Sequence, residues 1–206
     1  MKIIIIISLV LLISHSAYSQ TSIKINTNAG VGNVYLIDNN NIIDDFYNFE
    51  KGVRYSLGLL IEKPFNNSKF IETGFLVDMQ KNDYFFTDFQ PNGDELKKFI
   101  YNRQIIQLKI PFTLKKEIYQ NFGLNIGING IFTLSETNFY RYKNKLFCLD
   151  IKTGIFYNIL NKIEIGINYT NSMFSIFKKH FSIADKFYYL NYTFTFSLSY
   201  KLFNFK

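Results

Sequence analysis

The sequence is poor in the residues that cross-link or interrupt a fold. Its 206 residues include one Cys, three Pro and no Trp. One Cys cannot form an internal disulfide, so packing and hydrogen bonds must hold the fold together. With so few Pro, and with 11 Gly, collagen-like and Pro-rich linker architectures are excluded.

Long apolar runs are also missing beyond residue 20. A transmembrane helix needs about 20 consecutive apolar residues, so helical membrane spanning is excluded for this part of the chain. Disorder is excluded as well. Of all residues, 48% are hydrophobic and 18% are aromatic, and disordered chains lack that apolar mass.

The first 19 residues have the pattern of a secretory signal peptide. Lys2 provides a positive charge, and residues 3–13 form an apolar stretch that is too short to span a bilayer comfortably. Ala17 and Ser19 fit the small-residue rule for cleavage, here between Ser19 and Gln20. We predict a signal peptide at residues 1–19 and one exported domain at residues 20–206; the alternative is an N-terminal membrane anchor.

Beyond the signal peptide, hydrophobicity alternates with a period of two, which is typical of β-strands. Between residues 104 and 116, one parity holds Ile106, Leu108, Ile110, Phe112 and Leu114, and the other holds Gln107, Lys109, Thr113 and Lys115. From residue 190 to residue 202, large apolar residues alternate in the same way with Asn, Thr, Ser and Lys. These apolar faces are longer than the roughly five or six residues of an ordinary soluble strand.

The same test predicts about eight strands, the minimum for a closed outer-membrane barrel. They span residues 23–37, 53–63, 69–81, 101–115, 122–134, 145–157, 163–174 and 189–203. Short turns at residues 64–68, 116–121 and 158–162 alternate with longer loops at residues 38–52, 82–100, 135–144 and 175–188. Outer-membrane barrels have short periplasmic turns and long outer loops. The predicted fold class is all-β, an eight-stranded antiparallel up-and-down transmembrane β-barrel in the outer membrane of a Gram-negative cell.

A soluble lipocalin-like ligand-binding barrel has the same period but the opposite sense, with apolar residues inside. The apolar parity here is almost free of charge over whole strands, and the polar parity carries Gly, Asn, Ser and Thr besides charges. A soluble outer face would be rich in Lys and Glu. The pattern therefore favours the membrane barrel over the soluble one.

A short motif in the fourth predicted strand carries a resemblance. Leu108-Lys109-Ile110-Pro111, followed by Phe112, Leu114 and Lys115, resembles the Ile-Pro step of the outer-membrane β-barrel domain family of the PorT-like type. The resemblance implies a small barrel over residues 20–206, in which this strand descends to a periplasmic turn. Some members of the family are linked to protein secretion across the outer membrane, so the resemblance also implies a secretion-accessory role.

Charged residues of the polar parity would face the lumen. The predicted lumen charge network comprises Arg54, Glu62, Glu72, Asp78, Lys109, Asp150, Lys152 and Glu164. Arg103, Lys115 and Lys201 share this parity. An eight-stranded barrel has room inside for little more than its side chains, so we expect these charges to pair and plug the lumen, for instance Glu72 and Asp150 with Lys109 and Lys152. A narrow solute channel lined by the same groups is the alternative.

Catalytic and metal sites have weaker support. His180 is the one His beyond the signal peptide, and with Ser175 or Ser182 and Asp185 it would allow a lipid-modifying enzyme at the outer rim. Nothing in the spacing demands this, and we expect no enzyme activity and no cofactor. Acidic residues cluster in two outer loops without the spacing of a calcium loop, so no metal site is predicted. They are Asp38, Asp44 and Asp45, and Asp83, Asp88, Asp94 and Glu95.

The net charge of +7 comes from Lys and Arg that are dispersed along the chain. A nucleic-acid partner would require a single basic stripe, so none is expected. Lys97-Lys98 and Lys178-Lys179 lie in outer loops, where anionic lipid headgroups are the nearer partner. Aromatic residues near the strand ends fit two interfacial girdles. We expect a monomeric, non-enzymatic barrel whose partners are outer-membrane lipids and secretion or envelope proteins, acting in binding, assembly or secretion.

Overall fold

The computed structural model describes ten segments of the chain: residues 21–38, 47–49, 52–66, 68–88, 97–137, 143–144, 146–160, 162–173, 177–178 and 187–205. The predicted signal peptide at residues 1–19 lies outside the described residues. Within the described segments, no helix is long and apolar enough to cross a membrane.

The described residues form β-strands joined by tight turns. The strands are β1 (Thr21–Asp38), β2 (Tyr47–Phe49), β3 (Gly52–Asn66), β4 (Lys69–Asp88), β5 (Lys97–Tyr119), β6 (Phe122–Glu136), β7 (Lys143–Asn144), β8 (Phe147–Ile159), β9 (Ile163–Ser172), β10 (Phe177–Lys178) and β11 (Phe187–Phe205). The eight long strands pair antiparallel, each with the next along the chain, and β11 returns to pair with β1. The predicted fold is confirmed: a closed, eight-stranded, up-and-down antiparallel barrel.

Side chains of each strand alternate between the lumen and the outer surface. In β3 the even-numbered residues from Gly52 to Glu62 point inward, and the odd-numbered residues from Val53 to Ile61 are largely exposed. In β6 the odd-numbered residues point inward instead. Because successive strand residues face opposite sides of a sheet, the two-residue period of the sequence becomes a polar lumen and an apolar wall.

Several predicted turns are shorter in the structure, because the strands run further than predicted. β3 continues to Asn66 through most of the turn predicted at residues 64–68, and β5 continues to Tyr119. The β5–β6 hairpin then turns in two residues, Gln120 and Asn121, both with positive φ (33° and 71°). Positive φ at both central residues characterises the type I′ turn, which matches the twist of the strands that it joins.

The outer loops were also predicted too long. Residues 82–100 were expected to be loop, yet β4 runs to Asp88 and β5 starts at Lys97, with unbroken pairing from Asn82↔Arg103 to Asp88↔Lys97. β2, inside the predicted loop 38–52, pairs with the same extension of β4. β7 and β10, in two other predicted loops, pair with each other. Aromatic residues such as Tyr84 and Phe86 have a high strand propensity. This propensity explains why the strands continue through the segment that was predicted as a loop.

The Ile-Pro step lies at an interruption of the barrel wall. β4 and β5 pair at Thr73↔Phe112 and again at Leu76↔Lys109, but not at the two positions between. Pro111 lies there, buried, opposite Gly74, whose φ of 155° is rarely adopted by other residues. Proline has no N–H to donate to a ladder and is normally confined to edges and irregularities of sheets. The missing β4–β5 pairs are where this proline can be accommodated.

Candidate functional site

The barrel is apolar outside and polar inside. Among the side chains that the structure describes, buried polar and charged ones outnumber buried apolar ones, and Arg54, Asp78 and Asp150 are among the most deeply buried. The outer wall exposes large apolar residues on every long barrel strand for which side chains are described. They include Leu57, Val77, Leu114, Ile126, Ile155, Ile167 and Phe196. A soluble barrel would expose charges on this face, so the lipocalin-like alternative is wrong.

Five charged side chains meet in the lumen at the end of the barrel that carries the short turns. We call them the basal cluster: Lys24, Glu62, Glu72, Lys115 and Glu164. The Lys24 Nζ lies 2.5 Å from Glu62, 2.8 Å from Glu164 and 3.6 Å from Glu72. The Lys115 Nζ lies 2.9 Å from Glu62 and 3.4 Å from Glu72 and also contacts Glu164.

The basal cluster connects strands that are not neighbours in the wall. Glu164 belongs to β9, whereas its partners Lys24 and Lys115 belong to β1 and β5. The chain order of the closed barrel puts β11 between β9 and β1, and β6 and β8 between β5 and β9. These ion pairs therefore cross the lumen, and the side chains that make them occupy its cross-section.

The three carboxylates of the basal cluster could be taken for metal ligands, since ligand atoms of Glu62, Glu72 and Glu164 all lie within 4.8 Å of one another. Lys24 and Lys115 each contact all three. The two ammonium groups therefore balance most of the negative charge of the three carboxylates, and Lys201 lies 4.0 Å from Glu62 as a further cation. Buried charges require such partners. The arrangement fits an internal salt-bridge network better than a metal centre.

A second group of side chains, the central cluster, is built around Asp78. The Arg54 Nε donates to Asp78 Oδ2 at 2.7 Å, and the Lys109 Nζ donates to Asp78 Oδ1 at 2.9 Å. Arg54 Nη1 also donates to Thr193 Oγ1 at 2.7 Å, and Arg54 Nη2 to Gln107 Oε1 at 3.3 Å. Thr193 is on β11, which is separated from β3 by β1, so the central cluster also reaches across the lumen.

Two of the predicted network residues form no close ion pair with either cluster. Among the described residues, no ion pair within 4.0 Å involves Asp150 or Lys152, although both face inward. Glu72 and Lys109 are paired, but with Lys24 and Lys115 and with Asp78 respectively. The expected grouping of Glu72 and Asp150 with Lys109 and Lys152 is therefore not one of direct ion pairs, although Asp150 interacts electrostatically with Lys109, and Lys152 with Glu72. Parity gives the facing of a side chain, but its partner depends on how the strands are staggered.

Asp150 lies on a small polar cavity towards the opposite end of the lumen. The cavity measures about 10 Å³, and its lining includes Gln80, Arg103, Gln107, Ser172 and Asn191. That is space for about one water molecule. The buried Asp150 Oδ1 and Asn191 Oδ1 have no hydrogen-bond partner among the described groups, so a water molecule here would be well coordinated.

Some of the described lumen charges, among them Lys24 and Glu136, were missed by the sequence reasoning. Lys24, the second cation of the basal cluster, has the same parity as Asn26 and Asn28, so extending the alternation of β1 by one step would have found it. Glu136, which accepts from Arg103 Nη2 at 2.9 Å, falls in a segment that was predicted as loop. Apolar residues also enter the lumen, among them Leu60, Ile131 and Phe156, where polar side chains were expected.

The residues considered for catalysis, Ser175, His180, Ser182 and Asp185, lie outside the described residues. The same holds for Asp44, Asp45, Asp94 and Glu95 of the acidic loops. Cys148 is described: it is buried on the lumen side of β8 and forms no disulfide.

A closed barrel satisfies its backbone hydrogen bonds internally, and its apolar outer wall and charged lumen are the features of a transmembrane β-barrel of the outer-membrane type. These features indicate an outer-membrane location. No protein-family model matches the chain, and no curated protein sequence matches it.

Solved structures of small outer-membrane proteins are similar to the chain over most of its length. Neisserial surface protein A shares 8% identity at a TM-score of 0.44, covering 88% of this chain and 99% of its own. OprG from Pseudomonas aeruginosa shares 9% identity at a TM-score of 0.46, with 89% and 98% coverage. Ail, the attachment invasion locus protein of Yersinia pestis, shares 13% identity at a TM-score of 0.36, with 90% and 100% coverage.

Proposed function

We propose that the protein is a non-enzymatic barrel with a plugged lumen that acts as a binding, assembly or secretion-accessory component of the outer membrane. The observation that supports this proposal is the pair of clusters that cross the lumen. Buried ion pairs are costly to separate, because each partner left alone is an uncompensated charge. A solute path would require these pairs to separate, so the network is better suited to closing the barrel than to conducting through it.

The proposed secretion-accessory role extends the resemblance to PorT-like barrels. It is supported by the setting of the Ile-Pro step, because Pro111 and Gly74 lie at a gap in the β4–β5 pairing, one of several irregularities of the wall. Bulges and similar irregularities re-aim or interrupt a strand and are often associated with functional sites. Under this proposal the partners are secretion or envelope proteins, and the barrel itself is a monomer.

Conductance in a planar lipid bilayer tests the plugged lumen. The purified, refolded protein should give no steady single-channel current, because the basal and central clusters block the axis. The double variant Lys109→Ala/Lys152→Ala removes two inward cations, so it should lower thermal stability and admit a small leak. Lys116→Ala, on the exposed face of the same strand β5, is the control and should stay closed. A stable, ion-selective current from the unmodified protein would replace this proposal with the narrow-channel alternative.

The absence of enzyme activity requires a separate assay. Vesicles that contain the protein should release no fatty acid or lysolipid from phospholipid. Release that disappears in the His180→Ala variant would contradict the proposal and favour a lipid-modifying enzyme at the rim.

A further inference from the structure

A large apolar groove lies on the outer wall, near the end of the barrel that carries the short turns. Its volume is about 770 Å³. It is formed mainly by outward-facing side chains of four consecutive wall strands, β4, β5, β6 and β8. They include Ile71, Leu114, Leu124, Ile126 and Ile155, with Phe65 at the end nearest the β3–β4 turn. Phe70 and Lys115, which are paired with each other and have the lumen parity, also border the groove.

Two lysines close the groove at that end. Lys69 is the first residue of β4, and Lys116 lies directly opposite it on β5. Both line the groove and both are exposed. Directly opposed residues of an antiparallel pair have Cβ atoms about 5 Å apart, so two like charges in these positions repel each other.

Neither lysine has an ion-pair partner in the described part of the protein. No carboxylate of the described residues lies within 4.0 Å of Lys69 or Lys116, whereas Lys115, the next residue on the lumen side, contacts three. The outward-facing pair is therefore a site of concentrated positive charge directly beside an apolar surface. A ligand that fits it must be anionic at one end and apolar along the rest.

We propose that this groove binds one anionic phospholipid of the periplasmic leaflet, with its phosphate between Lys69 and Lys116 and an acyl chain along the groove. The depth is appropriate, because short turns mark the periplasmic side of an outer-membrane barrel, Lys69 begins β4 and Lys116 lies three residues before the end of β5. Basic residues at the membrane interface attract anionic lipids in this way.

Quenching by brominated lipids tests the proposal, because the chain contains no Trp and a single introduced Trp is an unambiguous reporter. Phe65→Trp places the reporter in the groove. The full protein is reconstituted in phosphatidylcholine vesicles with a small fraction of brominated phosphatidylglycerol, or with brominated phosphatidylcholine instead. We expect phosphatidylglycerol to reach half-maximal quenching at a mole fraction about 10- to 30-fold lower, from the attraction of two lysines.

Three variants identify the source of that preference. Lys69→Gln/Lys116→Gln should make the two lipids equivalent at the groove reporter. Lys162→Gln removes a charge from the same end of the barrel but outside the groove, and should leave the preference unchanged. Phe196→Trp, a reporter on the lipid-facing side of β11, should detect no preference. Equal quenching by both lipids in the unmodified groove would overturn the proposal, as would a loss of preference with Lys162→Gln as large as that with the groove lysines.

Discussion

Lys115 provides the sharpest test of the basal cluster. Its side chain is 2% exposed and its ammonium group contacts Glu62, Glu72 and Glu164. It also lies 4.5 Å from the centroid of the Phe156 ring. Replacement by Met keeps an unbranched side chain of similar length and removes the charge.

The free energy of unfolding that Lys115→Met is expected to lose can be worked out from the charges that remain in the basal cluster. Three buried carboxylates would be left with Lys24 as their close cation, and Lys201 lies 4.0 Å from Glu62. Removing one partner of a buried ion pair costs about 3 to 5 kcal/mol. The same change at Lys116, one residue further along β5 and exposed, should cost less than about 0.5 kcal/mol. The predicted difference therefore exceeds about 2.5 kcal/mol.

A double variant separates lost charge balance from lost packing. In Lys115→Met/Glu164→Gln one cation and one anion are removed together, so the free energy of unfolding should recover by about 1 to 3 kcal/mol relative to Lys115→Met alone. If the effect of Lys115→Met were due to packing only, removing a carboxylate charge would not restore stability.

Reversible urea unfolding in lipid vesicles measures these free energies. The chain has no Trp, so far-UV circular dichroism and the electrophoretic mobility of the folded barrel should be used as two independent probes. The reasoning is refuted if Lys115→Met and Lys116→Met are equally stable, or if the double variant is less stable than Lys115→Met alone.

Two further predictions concern the wall. Leu198→Arg puts a charge on the lipid-facing side of β11 and should lower the free energy of unfolding by about 2 to 4 kcal/mol. Leu202→Arg, on the same face near the strand end, should lower it by about 1 kcal/mol or less. Equal urea midpoints for the two variants would contradict the assignment of this face to the lipid. Gly74→Ala introduces a Cβ only 2.1 Å from the Leu59 carbonyl oxygen at a φ of 155° and should cost more than about 1 kcal/mol. In Gly130→Ala the nearest atom is 3.5 Å away, so this variant should melt near the unmodified protein, and a loss as large as that of Gly74→Ala would exclude the backbone explanation.

The fold was predictable because successive residues of a barrel strand face the lipid and the lumen alternately, so that apolar and polar residues alternate in the sequence. Leu108 and Lys109 are neighbours in the chain, yet Leu108 belongs to the apolar outer face and Lys109 contacts Asp78 in the lumen. The apolar face also indicated its surroundings, since an uncharged exterior over whole strands is stable only in lipid.

The partners of the lumen charges were not predictable in this way. Asp78 lies in register with Gln107 on β5, but its cations are Arg54 and Lys109. Glu164 on β9 reaches β1 and β5, neither of which is a neighbour of β9 in the wall. Such contacts depend on the stagger and tilt of the whole barrel, which are set by all eight strands together. Local patterns in a sequence carry no information about that stagger.

The same dependence gives the lumen charges a role in selecting the register of the barrel. A slip of one residue between strands would turn Lys115 towards the lipid and the apolar side chains of β5 towards the lumen. The alternation of apolar and polar residues is therefore enough to disfavour it. A slip of two residues keeps every side chain on its correct face, so alternation cannot oppose it. It would, however, move Lys115 along its strand by about 7 Å relative to its partners, too far to maintain contacts of 2.9 Å to Glu62 and 3.4 Å to Glu72. Three carboxylates would then be buried with too few cations, at a cost of several kcal/mol. Alternation thus determines which face of each strand meets the lipid, and the basal cluster distinguishes the native stagger from those displaced by two residues.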